Sequence, residues 1–522
     1  MATEQGNRPL AEYLAVGAAI GGVVAYSLLQ AMLVPVLPSL REKFGVTTSD
    51  VAWILTGFLL SSAVSTPVVG RLGDIRGLKR MYLFALACLA AGALIAACAP
   101  TLAVSVAGRI LQGVGGGIIP LAYGILRAIL PSHRLPAMIG VVGGVAGMGN
   151  ATGTVLAGPI LQYLGYAWLF LIPALLCVIS GIVVAIVVPS IRAKSDTKIN
   201  VAAAVLLAGW LSTALIVLGQ GSSWGWTSRT TILAAVLSVV AFAAWIVSEL
   251  RSRHALIDVR LMVSTRAVAA SHTISLLIGF VLFGVFALLP AYLQDSGGGF
   301  GLSSASVGLY MVALSLGMFV VGFVAGRLIR RLRSRAMVAL GSAVVASVLL
   351  TLALAEHGSS VRWALTLVMG LGFGCCFPAI STVVVMSVDP GDTAQASGVN
   401  ANLRTIGGAV GTVAVTGILT MAASVGTRTG FAVGFAVLAA VAIVASVCAA
   451  TLLPRRPRRR STEQPLIRAG HPAAVGLTPS TTRPVSEEPG DEEPHRSSRS
   501  GGVRRLRSDE EDYADDVRPE GT

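Results

Sequence analysis

Between Glu12 and Arg41 the chain runs without a single charged side chain. A helix needs about 20 apolar residues to cross the hydrocarbon core of a bilayer, and this stretch exceeds that. The pattern then recurs. Breaking the sequence at charges and turn residues gives apolar spans near 13–37, 52–70, 81–99, 102–129, 138–162, 167–189, 200–219, 230–248, 267–293, 304–328, 336–354, 361–387, 396–424 and 429–453. Fourteen such spans leave few folds open, because nothing in lipid hydrogen-bonds a bare backbone and each crossing must satisfy itself as a helix. The expected fold is an all-α integral membrane protein with 14 transmembrane helices. No small-residue cleavage site follows the first span, which is also too long for a signal peptide, so it reads as a retained helix.

Composition agrees: 12% of residues are charged, against about a quarter in soluble domains. The net charge of +14 could suit nucleic acid, but its placement argues otherwise. Residues 454–522 hold thirteen basic and thirteen acidic residues, so the whole excess lies among the spans. No nucleic-acid partner is expected. The six cysteines all fall inside apolar spans and show no metal-ligand spacing. They read as small core residues, with no metal site and no cofactor implied.

An even number of spans puts both termini on one side. With the N-terminus inside, the inner loops hold fifteen bases (Arg71, Arg76, Lys79, Arg80, Arg134, Arg192, Lys194, Lys198, Arg251, Arg253, Arg260, Arg330, Arg331, Arg333 and Arg335). The outer loops hold five, namely Arg41, Lys43, Arg229, Arg362 and Arg428. By the positive-inside rule both ends are cytoplasmic, and the membrane is the plasma membrane.

The sequence also repeats. "GRLGDIRGLKR" (70–80) ends span 2 and "GRLIRRLRSR" (326–335) ends span 10, at an offset of 256 residues. "GVGGGIIP" (113–120) in span 4 returns as "GLGFGCCFP" (370–378) in span 12, at an offset of 257. A shift of eight spans, where six-helix halves would shift by six, marks spans 7 and 8 as an insertion. The division expected is a cytoplasmic N-terminus (1–12), a six-helix half (13–190), an inserted pair with flanking loops (191–264), a second half (265–453) and a disordered cytoplasmic tail (454–522). Parallel six-helix repeats are a carrier architecture, with substrate held between the halves near the midplane.

At these residues the chain resembles the major facilitator superfamily, in particular its fourteen-helix drug:proton antiporter branch and the multidrug efflux members of actinobacteria. Gly70, Asp74, Arg76, Gly77 and Arg80 stand as in the superfamily's signature between helices 2 and 3. Asp74 can accept from helix N-termini and pair with guanidinium groups, latching the cytoplasmic face. Arg330 takes the Asp74 position in the second half, so no symmetric latch is expected. "RILQGVGGG" (109–117) resembles the helix 4 signature through Arg109, Gln112 and Gly113. A charge that deep in a span marks function by default, with snorkelling the alternative. "GNATGTVLAGP" (149–159), with Gly158 and Pro159, resembles in part the helix 5 signature of antiporters, where Gln162 and Tyr163 replace the usual glycines.

Where that branch carries an aspartate in helix 1, this chain has Gln30. An amide can accept from a guanidinium but does not titrate, and Gln30 is expected to accept from Arg109 at similar depth. No Asp or Glu lies well inside an apolar span; Asp50, Asp258, Asp295 and Asp389 sit near ends or in loops. Gln30, Tyr123, Asn150, Asn402 and Arg404 are the polar candidates for a substrate cavity, with Met32, Met148, Phe280, Phe283 and Phe286 as apolar lining. His272 is assigned an interhelical hydrogen bond. "RRPRRR" (455–460) offers Arg455 to Arg460 a contact with anionic lipids.

The reading is a monomeric secondary transporter that exports lipophilic or cationic drugs. The resemblance implies proton antiport, while the residues supply no carboxylate for it. The alternatives are an exporter or facilitator of an endogenous metabolite or lipid without proton coupling, and a non-transporting sensor or scaffold. No nucleophile–base pair or phosphate loop points to an enzyme.

Overall fold

The computed structural model describes residues 8–51, 53–189, 200–252, 262, 265–297, 299–354, 358–422 and 427–454. The tail beyond Pro454, its Arg455–Arg460 lipid contact, Asp258, and the bases Arg192, Lys194, Lys198, Arg253 and Arg260 lie outside the described residues. Every described element is helical. The chain runs through α1 (Arg8–Ala31), α2 (Trp53–Arg76), α3 (Leu78–Ala97), α4, α5 (Leu135–Tyr163) and α6 (Trp168–Val187). The inserted pair is α7 (Val201–Trp224) and α8 (Arg229–Arg251), followed by α9 (Arg266–Gln294). In α4, Leu102–Val114 and Ile118–Ile129 are joined by a 3-10 turn at Gly115–Gly117.

Thirteen described helices are long and apolar enough to cross a membrane, but one of them, Ser304–Leu354, has 51 residues. At 1.5 Å per residue that is about 75 Å, more than twice the core of a bilayer. It breaks at Arg333 (φ 64°, ψ 150°). Residues 304–332 are α10 and 334–354 are α11, which gives fourteen spans with α12 (Ser359–Ser387), α13 (Thr393–Ala422) and α14 (Thr427–Leu452).

Arg333 lies 256 residues after Gly77, and Gly77 makes the same break between α2 and α3 with φ 106° and ψ 128°. Glycine adopts positive φ freely, whereas an L side chain there is strained by about 1–3 kcal/mol. Arg333 is the described non-glycine residue with positive φ. Arg333→Gly should therefore stabilise the protein by about 1 kcal/mol, net of glycine's own entropy cost. The measurement is the thermal midpoint of the purified protein in detergent; an unchanged or lowered midpoint would show that Arg333 carries no strain.

The glycine repeat has a packing cause. A Cβ on Gly113 would stand 2.7 Å from the Phe58 carbonyl oxygen, so α4 presses directly on the backbone of α2. One on Gly370 would overlap the Leu314 carbonyl, so α12 presses on α10 in the same way. Both partners recur at the repeat offset, and one helix contact is built twice. Apolar burial follows the same division. One cluster runs from Ala15 to Val188 and takes in Val385 and Ala394 from the other half. A second runs from Ala270 to Leu453. The inserted pair adds a small third cluster, with Ala203, Leu207 and Trp245 against Val399 of α13. Rings of Trp210, Phe242 and Trp245, 5.0–6.0 Å apart, hold α7 to α8.

Candidate functional site

The two halves meet along two seams, both towards the face that carries the 70–80 turn. On the first, Asp74 in the last turn of α2 is buried, and its carboxylate reaches across to α13. Oδ2 accepts from the Gln395 N–H at 2.9 Å, and Oδ1 accepts from the Ala394 N–H at 3.4 Å. These N–H groups belong to the first turn of α13, which has no partner inside its own helix and sits at the positive end of the helix dipole. Arg71, one turn earlier on the same face of α2, donates to Gln395 Oε1 at 2.9 Å and lies 3.5 Å from Asp392. A Cβ on Gly70 would stand 2.8 Å from the Ala394 carbonyl oxygen, so the close approach needs glycine.

Arg127 of α4 makes the complementary contact. It donates to the Val388 carbonyl and to Thr393 Oγ1, each at 2.8 Å, and to the Val385 carbonyl. Those carbonyls end α12, the negative end of its dipole, so an anion meets one helix start and a cation meets one helix end. Deeper in the seam, Asn402 donates to the Ala63 carbonyl at 2.7 Å. Of the signature residues, Arg76 and Arg80 are exposed and stand outside this cluster. Gly77 supplies the turn described above.

The second seam is made of glycine. Gly140 and Gly144 of α5 face Gly322 of α10, and Gly326 faces Ala137: a Cβ on Gly144 would stand 2.9 Å from the Gly322 Cα, and one on Gly140 2.8 Å from the Gly322 carbonyl oxygen. Arg330, at the position equivalent to Asp74, is exposed. At this seam bare backbone contact takes the place of ions. Among the described hydrogen bonds, those that join the halves lie between Asn402–Ala63 and the 70–80 turn.

Arg109 does not meet Gln30 as expected. Its guanidinium is fully buried, donating to the Ile54 carbonyl (3.1 Å), the Leu29 carbonyl (3.1 Å) and Gln112 Oε1 (2.6 Å), with the Phe58 ring 4.1 Å away. Gln112 is three residues on, on the same helical face, and so takes the role expected of Gln30. The α1 acceptor is the carbonyl next to Gln30, while the Gln30 side chain, about 100° further round the helix, is half-buried with no described hydrogen bond. Arg109 therefore ties α1, α2 and α4 together through neutral acceptors.

Next to the Asp74 cluster a small cavity of about 20 Å³, room for about one water, lies between the halves in this conformation. Ile119 and Tyr123 of α4, Ser381 and Val384 of α12, and Asn400 and Arg404 of α13 line it. Arg404 lies 5.1 Å from the Phe377 ring centroid. Asn400 is held by α9, accepting from Ser275 Oγ at 2.9 Å and lying 3.3 Å from His272 Nδ1, which is the interhelical bond expected of His272. Of the five polar cavity candidates, the structure brings Tyr123 and Arg404 together. Asn402 is committed to Ala63, and Asn150 donates to the Ala146 carbonyl of its own helix at 3.1 Å. Met32 is packed in the first half's core and does not line the cavity, because α1 turns that face inward. Gly158 and Pro159 are exposed.

The helices also outrun the apolar spans, so Asp74 and the buried Glu249 fall within helices although neither lies deep. Sequence reasoning missed Arg127, Gln395 and the glycine seam. The four-residue spacing of Gly140–Gly144 and Gly322–Gly326 was the available signal for the last. Nothing in the sequence near Arg127 marks which helix end it would reach.

Two parallel six-helix halves that close on each other at one face, around a cavity lined from both, define a multi-pass membrane carrier. The chain belongs to the Major Facilitator Superfamily, whose family model matches residues 19–412, and that family and fold are of transporters rather than enzymes. It is 29% identical over 385 residues to the multidrug resistance protein B homolog of Mycobacterium tuberculosis (strain H37Rv), covering 72% of this chain and 70% of that one. It is 28% identical over 428 residues to the tetracenomycin C resistance and export protein of Streptomyces glaucescens, covering 80% and 77%. The crystal structure of the human organic anion transporter MFSD10 superposes with a TM-score of 0.63 at 16% identity, covering 84% of this chain and 99% of that one, a likeness of fold.

Proposed function

We propose that the chain is a plasma-membrane exporter of lipophilic small molecules, working by alternating access between its halves, with both termini in the cytoplasm. The Asp74 cluster carries this reading. Side chains of one half grip the helix ends of the other, at the face that the basic loops assign to the cytoplasm. Contacts at helix ends can break and re-form without disturbing either apolar core, as a rocking carrier requires. On this reading the described conformation is closed to the cytoplasm. The names of the relatives, multidrug resistance and antibiotic export, support drug-like compounds as the substrate class.

Proton antiport is the second part of the proposal, and Asp74 is its carboxylate. Protonation would remove the charge that holds the α13 N–H groups and weaken the seal. The charged groups facing Asp74 are Arg71, Arg127 and Asp392, with Asp389 beside Arg127. One observation favours a facilitator instead: no described carboxylate lies midway along a span. Proteoliposomes loaded with a lipophilic dye separate the two. The expected result is dye movement that accelerates when a pH gradient is imposed in the opposite direction. Movement indifferent to the gradient would leave facilitation, and no movement of any lipophilic compound by folded protein would end the export reading.

A further inference from the structure

The cavity between the halves offers a guanidinium and no carboxylate. Arg404 lines it with Tyr123, Ser381, Ser397 and Asn400. One contact of its guanidinium is the Phe377 ring, at 5.1 Å. Among the described residues nothing supplies it with an ion pair or a hydrogen bond. The carboxylates that fall within described spans are Glu12, Asp74, Glu249 and Asp392, and each is placed elsewhere, Asp392 lying 3.5 Å from Arg71. Glu12 lies 3.7 Å from Arg134, Asp74 holds the start of α13, and Glu249 is on the inserted pair. Arg109, a buried cation of the first half, has neutral acceptors in its described hydrogen bonds. The cavity's own lining is therefore positive, and the Asp74 carboxylate next to it is engaged by the α13 N–H groups.

That sign discriminates between solutes. A cation entering the cavity meets a like charge where water screens poorly, and an anion meets its counter-ion under the same condition. A guanidinium fork matches the two oxygens of a carboxylate or sulfonate. Its flat faces stack on aromatic planes, and Phe377 is already such a plane. We infer that the cavity binds organic anions, an aromatic body bearing a carboxylate, sulfonate or phenolate, with the acid group on Arg404 and the ring beside Phe377. The inference rests on the transporter reading and narrows its substrate class, setting aside the cationic compounds expected from the sequence.

The test compares fluorescein, an anion, with rhodamine 6G, a cation on the same xanthene frame, and with decanoate, an acid without a ring. Binding is read as a rise in thermal midpoint of the full chain in detergent, and transport in proteoliposomes. Fluorescein should bind and be transported, rhodamine 6G should do neither, and decanoate should compete weakly. Arg404→Gln should weaken fluorescein binding by about tenfold or more, with Arg404→Lys recovering part of it. Arg404→Glu should shift preference to rhodamine 6G. Rhodamine 6G binding as tightly as fluorescein to the wild type would overturn the inference with no variant needed, and so would unchanged fluorescein binding in Arg404→Gln. Decanoate equal to fluorescein would overturn the aromatic requirement and point to an acyl chain from the lipid. Charge-selective, Arg404-dependent binding without transport would leave the anion site standing and count against the transporter reading.

Discussion

Gly322→Leu should hold the protein open at the face carrying the 70–80 turn and reduce turnover by about tenfold or more. Gly322 lies against α5 so closely that a Cβ would stand 2.8 Å from the Gly144 backbone nitrogen and 3.0 Å from the Gly140 carbonyl oxygen. Four added carbons have no rotamer that avoids α5, and overpacking of this kind costs about 1–3 kcal/mol or more. On the alternating-access reading that cost falls on the closed conformation alone, because the opposite state would part these helices. Two measurements check it. Turnover is read in proteoliposomes, and access is read from Ser381→Cys, placed in the cavity of a variant whose six native cysteines are replaced. A membrane-impermeant maleimide should gain access to that cysteine from the turn face. Labelling confined to the opposite face, or turnover equal to wild type, would show that the glycine seam is no part of the cycle.

Asp74→Asn should act on the same equilibrium through the other seam. The carboxylate accepts two N–H bonds at the positive end of α13, and bonds to a charged acceptor contribute about 1.5–3 kcal/mol each. An amide retains one acceptor oxygen and no charge. Losing about 1.4 kcal/mol lowers the closed population roughly tenfold relative to the open one, and turnover should fall by a similar factor with the amount of protein in the membrane unchanged. Dependence on a pH gradient should vanish with it, since the amide cannot take up the proton. If Asp74→Asn turns over at the wild-type rate, the α2–α13 contact is a packing detail. If the rate falls but the gradient still accelerates it, a group other than Asp74 carries the proton.

The spans were legible because lipid leaves the backbone no choice, and a charge-free run of sufficient length has one stable form. The repeat was legible for a related reason: Gly113 and Gly370 each lie against a carbonyl, and only glycine fits there. Asp74 could be picked out by its place among bases and glycines, and its reach to a helix start follows from the chemistry of a carboxylate. Gln30 misled because sequence depth fixes height along a helix and says little about azimuth. Leu29 and Gln30 differ by about 100° around α1, and that rotation decides which of them meets Arg109. Arg127 was hidden for another reason. Two of its three acceptors are main-chain carbonyls some 260 residues away, and a backbone acceptor leaves no trace in the identity of the residue that provides it.

That last point bears on how such a closure can change over generations. Asp74 and Arg127 hold peptide groups at the ends of α12 and α13, so the receiving positions Ala394, Val385 and Val388 are free to drift among residues that keep the helix ends in place. The burden of identity falls mainly on Asp74 and Arg127, with Thr393 and Gln395 the side chains that answer from the other half. Second-site suppressors of a weakened Asp74 should accordingly arise where helix geometry or Gln395 is altered, rather than by a compensating charge at 394. The two halves repeat one architecture yet meet here as unequal partners: Asp74 and Arg127 reach across with charged side chains, and the other half answers largely with the ends of its helices.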